Sequence, residues 1–88
     1  MKTTQVTVGT TPTLIVNPDN QNRYIYLQII QTATIYVGDS TVNTSNGMPL
    51  EKQQNLHQFF LPINETMYGI VTEQVGTADL RIMTPDVD

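Results

Sequence analysis

The chain is predicted to be all-β, a small antiparallel β-sandwich or barrel of about seven strands. Three observations carry this. Short runs of β-branched and aromatic residues alternate with polar ones at period two, the signature of a strand with one buried face. Turn chemistry, including Gly9-Thr10-Thr11-Pro12 and Asn17-Pro18-Asp19-Asn20, separates the runs at short intervals. No stretch carries apolar residues at the three-to-four spacing of an amphipathic helix.

The first strand is expected over Thr3 to Gly9, where Gln5 and Thr7 alternate with Val6 and Val8, and the second over Pro12 to Asn17, with Leu14 and Val16 on one face. In the turn that follows, Pro18 presets φ and Asn20 tolerates a positive φ. Asn22 to Gln31 is the clearest strand. Ile25, Leu27 and Ile29 form a core face, and Tyr24, Tyr26, Gln28 and Ile30 form the other, which is apolar enough to need a cover from a second layer or another subunit. Further strands are expected over Ala33 to Gly38, Asn55 to Leu61, Thr66 to Thr72 and Gly76 to Met83, with Glu51 to Gln54, Pro62 to Glu65 and Glu73 to Gly76 as connections.

Eighty-eight residues suit one domain over 1–88. Flexible arms are expected at residues 1–5 and at 84–88, Thr84-Pro85-Asp86-Val87-Asp88, because chain ends make few contacts. A cysteine-free domain of this size draws useful stability from oligomerisation or from docking on a larger surface.

Thr, Gln, Asn and Ser account for 31 of the 88 residues, charged residues for only 14%, and the formal net charge is −4. The four basic residues, Lys2, Arg23, Lys52 and Arg81, are scattered, which argues against a nucleic-acid or anionic-membrane partner. The lack of cysteine excludes disulfides, zinc thiolates and a thiol nucleophile. Neither a signal-peptide pattern nor a run of eighteen apolar residues occurs, so a membrane span is not expected. The Asn-x-Ser/Thr triplets at Asn43 and Asn64 are too short a motif in an Asn- and Thr-rich chain to imply glycosylation.

Catalytic groups are sparse. One histidine, His57, cannot build a histidine-based zinc site in one chain, and it is expected as a strand residue facing solvent or an interface. Ser40 and Ser45 lie in no nucleophile elbow. The polar loop Gly38 to Gly47 gathers Asp39, Ser40, Thr41, Asn43 and Thr44, an oxygen-rich set whose spacing does not match a calcium-binding loop and which offers one carboxylate. Hydrogen bonding within the loop is the better account, with Gly38, Asp39, Asn43, Asn46 and Gly47 as a structural loop. The glycines, including Gly47, are expected as turn and strand-edge residues with positive φ. No catalytic, cofactor-binding or metal-binding residue is expected, and no enzyme. Tyr24, Tyr26, Phe59 and Phe60 are the candidate interface residues.

The order of several segments resembles a small all-β module common among virion proteins of tailed bacteriophages. Asn22-Arg23 leads into the long apolar strand, and there follow Ile35-Tyr36-Val37-Gly38, Val42-Asn43-Thr44-Ser45-Asn46-Gly47, Pro49-Leu50, Met67-Tyr68-Gly69-Ile70 and Gly76-Thr77-Ala78-Asp79-Leu80-Arg81-Ile82. Glu51 to Phe60 departs from the pattern, being more polar and more aromatic than the short strand usual there. The resemblance implies a virion structural protein on the particle surface, made in the host cytoplasm. It would bind the capsid exterior as a decoration or cement protein, or form the base of a head fibre. The expected partners are further copies of the chain, with a trimer favoured, and the major capsid protein or another virion protein. A receptor- or glycan-binding module of a fibre or tail is the alternative.

Overall fold

A computed structural model describes residues 2–30, 32–51 and 57–84. Eight strands occur among them: β1 (Lys2–Val8), β2 (Thr13–Val16), β3 (Arg23–Ile29), β4 (Thr34–Gly38), β5 (Met48–Glu51), β6 (His57–Leu61), β7 (Met67–Ile70) and β8 (Ala78–Thr84). All strand pairs are antiparallel. Sheet A has the order β1-β8-β3-β6 and sheet B the order β2-β7-β4-β5.

The pairs β1 with β8, β2 with β7, β3 with β6 and β4 with β5 are nested, as if one long hairpin, closing at the β4–β5 loop, had been rolled up. Pairing of β8 with β3 and of β7 with β4 then joins the rolled hairpin into two sheets. This is the strand order of an eight-stranded jelly roll, a double-sheet way of closing an antiparallel fold.

The strand beyond the seven expected is β5, which includes Pro49. Proline cannot donate to a ladder, so a run containing it reads as a turn, and in this chain it is tolerated because β5 is the edge of sheet B. Residues 2–5, expected as a free arm, belong to β1 from Lys2 onward, and their partners are Thr84 to Arg81 on β8. Thr84 therefore closes β8 rather than opening an arm, and residues 85–88 lie outside the described residues. Asn55 and Leu56, expected to start the fifth strand, also lie outside them.

The core fills the space between the inner faces. Ile25, Leu27 and Ile29 of β3, Ala78, Leu80 and Ile82 of β8 and Val8 of β1 face Ile15 of β2, Ile35 and Val37 of β4, Leu50 of β5 and Met67 of β7. In β2 the register shifts between Leu14 and Val16, and this bulge allows the consecutive residues Ile15 and Val16 both to be buried.

At one end of the sandwich sits Arg23, 6% exposed and opposite Leu61 on the inward row. Its Nη2 donates to the Asn17 carbonyl at 2.5 Å and its Nη1 to the Gln21 carbonyl at 3.4 Å, so the buried charge is met by backbone dipoles of the β2–β3 turn. Next to it, Asn22 Oδ1 accepts from the Ile63 N–H at 2.7 Å, and the Asn64 N–H donates to the Asp19 carbonyl at 2.7 Å. The turn after β6 is thus stitched to the turn before β3. Asn64 itself has φ 64°, a left-handed conformation that asparagine tolerates.

Candidate functional site

The strongest candidate is the outer face of sheet A. Alternation along β3 turns Tyr24, Tyr26 and Gln28 outward, because Ile25, Leu27 and Ile29 are buried in the core. On β8 the same logic turns Asp79, Arg81 and Met83 outward. On β6 it turns Gln58 and Phe60 outward, opposite Tyr26 and Tyr24.

Register then fixes the neighbours. Thr3, Met83, Tyr26 and Gln58 form one row across the four strands, and Gln5, Arg81 and Gln28 form the next across β1, β8 and β3. Tyr24 and Phe60 pair beyond the first row, with ring centroids 5.3 Å apart at 64° in an edge-to-face contact. They remain 54% and 52% exposed. The face therefore has an apolar end of three aromatic residues, Tyr24, Phe60 and Tyr26, with Met83. Its other end is polar: Arg81 Nε donates to Gln5 Oε1 at 3.4 Å and Thr7 Oγ1 donates to Asp79 Oδ1 at 2.8 Å. A shallow depression of about 200 Å³ lies where the two ends meet, lined by Thr3, Tyr26, Gln28, Arg81, Ile82 and Met83.

Of the four expected interface residues, three share this face. Phe59 does not, because it pairs with Ile25 on the inward side and packs against the core. Consecutive strand residues point to opposite faces, so the dipeptide Phe59-Phe60 was bound to divide. His57 is also on the inward side, opposite Leu27, and half-buried. Its Nε2–H donates to the Glu51 carbonyl at 2.8 Å, tying the start of β6 to the end of β5. Met83 was absent from the expected interface. The alternation of Ala78, Leu80 and Ile82 was the available signal, since it sends residues 79, 81 and 83 outward.

The loop at 38–47 is held by hydrogen bonds between its own residues. Asp39 Oδ1 accepts from the Thr41 N–H at 2.8 Å and the Thr41 Oγ1–H at 2.5 Å, and the Val42 N–H closes on the Asp39 carbonyl at 3.0 Å. The Thr41 hydroxyl, and after it the Thr41 backbone N–H, hold the Asp39 carboxyl below the ordinary carboxylate range. Asn43 and Asn46 bond reciprocally. Asn43 Oδ1 accepts from the Ser45 and Asn46 N–H groups at 2.8 and 2.9 Å, while Asn46 Oδ1 accepts from the Asn43 N–H at 2.8 Å. The logic is that of a capping box, here closed by two asparagines around a single turn whose Gly47 N–H reaches the Asn43 carbonyl at 2.9 Å.

Gly47 is not in the positive-φ region expected for it, and among the described glycines only Gly76, at φ 80°, is. What position 47 requires is space. A Cβ there would lie 2.7 Å from Tyr36 Cβ, 2.9 Å from Val42 Cγ2 and 3.0 Å from the Asn43 carbonyl oxygen. Val42, only 3% exposed, is the apolar anchor by which the loop returns onto its own strand. Among the described residues no three His, Cys, Asp or Glu side chains gather as a metal-binding group.

No protein-family model matches the chain, and no match was found among the curated proteins or the solved structures.

Proposed function

We propose that the chain is a non-enzymatic structural protein of a tailed-bacteriophage particle. It binds the capsid exterior as a decoration or cement protein, with the outer face of sheet A as its docking surface and the virion surface as its location. One observation carries the proposal: a weakly charged, polar chain exposes an ordered aromatic pair, Tyr24 and Phe60, beside Tyr26 and Met83 on one sheet face. Aromatic side chains that are half exposed yet already held against each other lose little conformational freedom on binding, which suits them as interface anchors.

Support also comes from the resemblance to phage virion modules. The residues that carry it fall at the start of β3, on β4, β5, β7 and β8 and in the loop 39–47, that is, on three of the four strands of sheet B and on the two central strands of sheet A. The eight-stranded jelly-roll order is compatible with this reading, since viral capsid domains use it, although lectin domains use it too. The partners under this reading are the major capsid protein or another virion protein, together with further copies of the chain. Many copies on one particle would multiply weak contacts by avidity.

The second reading is a receptor- or glycan-binding module of a fibre or tail. The depression beside Tyr26, Gln28 and Arg81 favours it, because an aromatic ring next to hydrogen-bonding side chains suits a sugar. Negative-stain microscopy of intact particles, labelled for this chain, separates the two. Label spread over the head supports decoration. Label confined to fibre or tail tips supports the second reading and overturns the first.

A further inference from the structure

We propose that β1 is a self-pairing edge, through which two copies of the chain join antiparallel across a twofold axis and fuse their A sheets into one. The inference comes from comparing the four sheet edges, β1 and β6 in sheet A and β2 and β5 in sheet B. An edge strand presents unpaired N–H and C=O groups, and folded proteins blunt such edges by shortness, proline, bulges or charge. β2 spans four residues and is broken by a bulge, β5 spans four and contains Pro49, and β6 spans five and runs into Pro62.

β1 is neither short, nor bulged, nor interrupted by proline. Its seven residues stay in unbroken register with β8 from Lys2 opposite Thr84 to Val8 opposite Ala78. Its only charge is Lys2, at the end, and Lys2 through Gln5 are all exposed. Regular strand geometry makes alternate residues direct their backbone groups away from β8, so the outer side of β1 offers a ladder that is ready to be extended.

The side chains commit the occupant to a second copy. Antiparallel overlap of the whole strand centres on Gln5 and sets Gln5 against Gln5 of the second copy, Thr3 against Thr7, Thr4 against Val6 and Lys2 against Val8. The three central pairings join like with like in polarity or a small polar with a small apolar group, the charged Lys2 meets Val8 only at the two ends of the ladder, and no two charges meet. Faces also match, because Thr3, Gln5 and Thr7 are outward in both copies. Such a ladder supplies about one backbone hydrogen bond per residue, which brings it within the usual count for a specific interface of about 10 ± 5 bonds. A contact of this kind is isologous and closed, so it stops at two copies.

Sedimentation equilibrium on the full chain tests it. Wild type should sediment at twice the mass of one chain. Gln5→Lys places like charges face to face at the twofold, each beside Arg81, so this variant should fall to the mass of one chain while keeping its β-sheet circular dichroism, whereas Gln5→Glu, whose carboxylate Arg81 offsets, should weaken the dimer less. Mixed in equal amounts they should return to twice the mass, because the charges now complement each other. Gln5→Glu is the safer variant for folding, since it puts a carboxylate beside Arg81. A wild type that sediments as one chain or as three, a folded Gln5→Lys variant that stays at twice the mass, or folded variants that fail to recombine would each overturn the proposal. Phe60→Ser should leave the doubled mass intact, and loss of the dimer in that variant would contradict pairing through β1. The aromatic docking face can therefore fail without the edge failing, and the reverse.

Discussion

Tyr24 on β3 and Phe60 on β6 sit directly across the ladder from each other and meet edge to face on the outer side of sheet A, about half of each ring open to solvent. Such a pair contributes on the order of 0.5 to 1.5 kcal/mol beyond the area it buries. Phe60→Ser should therefore lower stability by an amount of that order in denaturant melts and leave the fold intact. A global collapse of Phe60→Ser would mean that the ring is a core element and not a surface anchor.

Leu27 lies at the centre of the sandwich, fully buried between Ile82 on β8 and His57 on β6. Leu27→Ala should cost about 2 to 5 kcal/mol, from lost burial and the cavity left behind. Chemical denaturation measures this directly, and an unchanged midpoint would contradict the placement of β3 in the core.

Gly47→Val should destabilise the β4–β5 loop by about 1 to 3 kcal/mol through overpacking against Tyr36, Val42 and the Asn43 carbonyl. The cause is crowding and not backbone handedness, so Gly47→Ala should already show a measurable part of the loss. A neutral Gly47→Ala in thermal melts would argue against the close approach of the loop to β4.

Asp39 titrates below the ordinary carboxylate value of 3.8 because the Thr41 hydroxyl and N–H bond its charged form. A lowered folded-state value means that its contribution is present above the ordinary value and is lost as the pH falls through the lower one. Carbon-detected NMR should give a midpoint below 3.8 that rises in Thr41→Val. Asp39→Asn retains an Oδ1 acceptor, so melting at neutral pH should change little, and a chelator should change nothing. A melting temperature that drops with chelator, recovers with calcium and loses that response in Asp39→Asn would make the loop a metal site.

Arg23→Met should leave the Asn17 carbonyl without its charged donor. The expected loss is about 1.5 to 3 kcal/mol, that of hydrogen bonds made by a charged donor. Amide exchange should locate the effect in the turns before β3 and after β6, which Asn22 and Asn64 tie together.

The architecture was readable in part because period-two alternation survives in β3 and β8, where one face is fully buried. β5 escaped notice because Pro49 imitates a turn, and only its place at a sheet edge makes it acceptable there. Whether Phe59 or Phe60 faces outward depends on the pairing of β6 with β3, which no local pattern states. The Gly38 to Gly47 loop was legible as a self-bonded turn from its Asp, Asn and Ser content. The reason for Gly47 was not, since crowding by Tyr36 and Val42 is a tertiary relation. The jelly-roll order, with β1 beside β8, depends on contacts between the two ends of the chain, where sequence pattern carries least information.

Docking through the aromatic face of sheet A is tested most directly by attachment to particles assembled without this chain. Purified wild type, added back, should decorate the heads in negative-stain images, and a folded Tyr24→Ser/Phe60→Ser double variant should leave them bare. Equal decoration by the double variant, or wild type that does not bind the heads at all, would contradict the account.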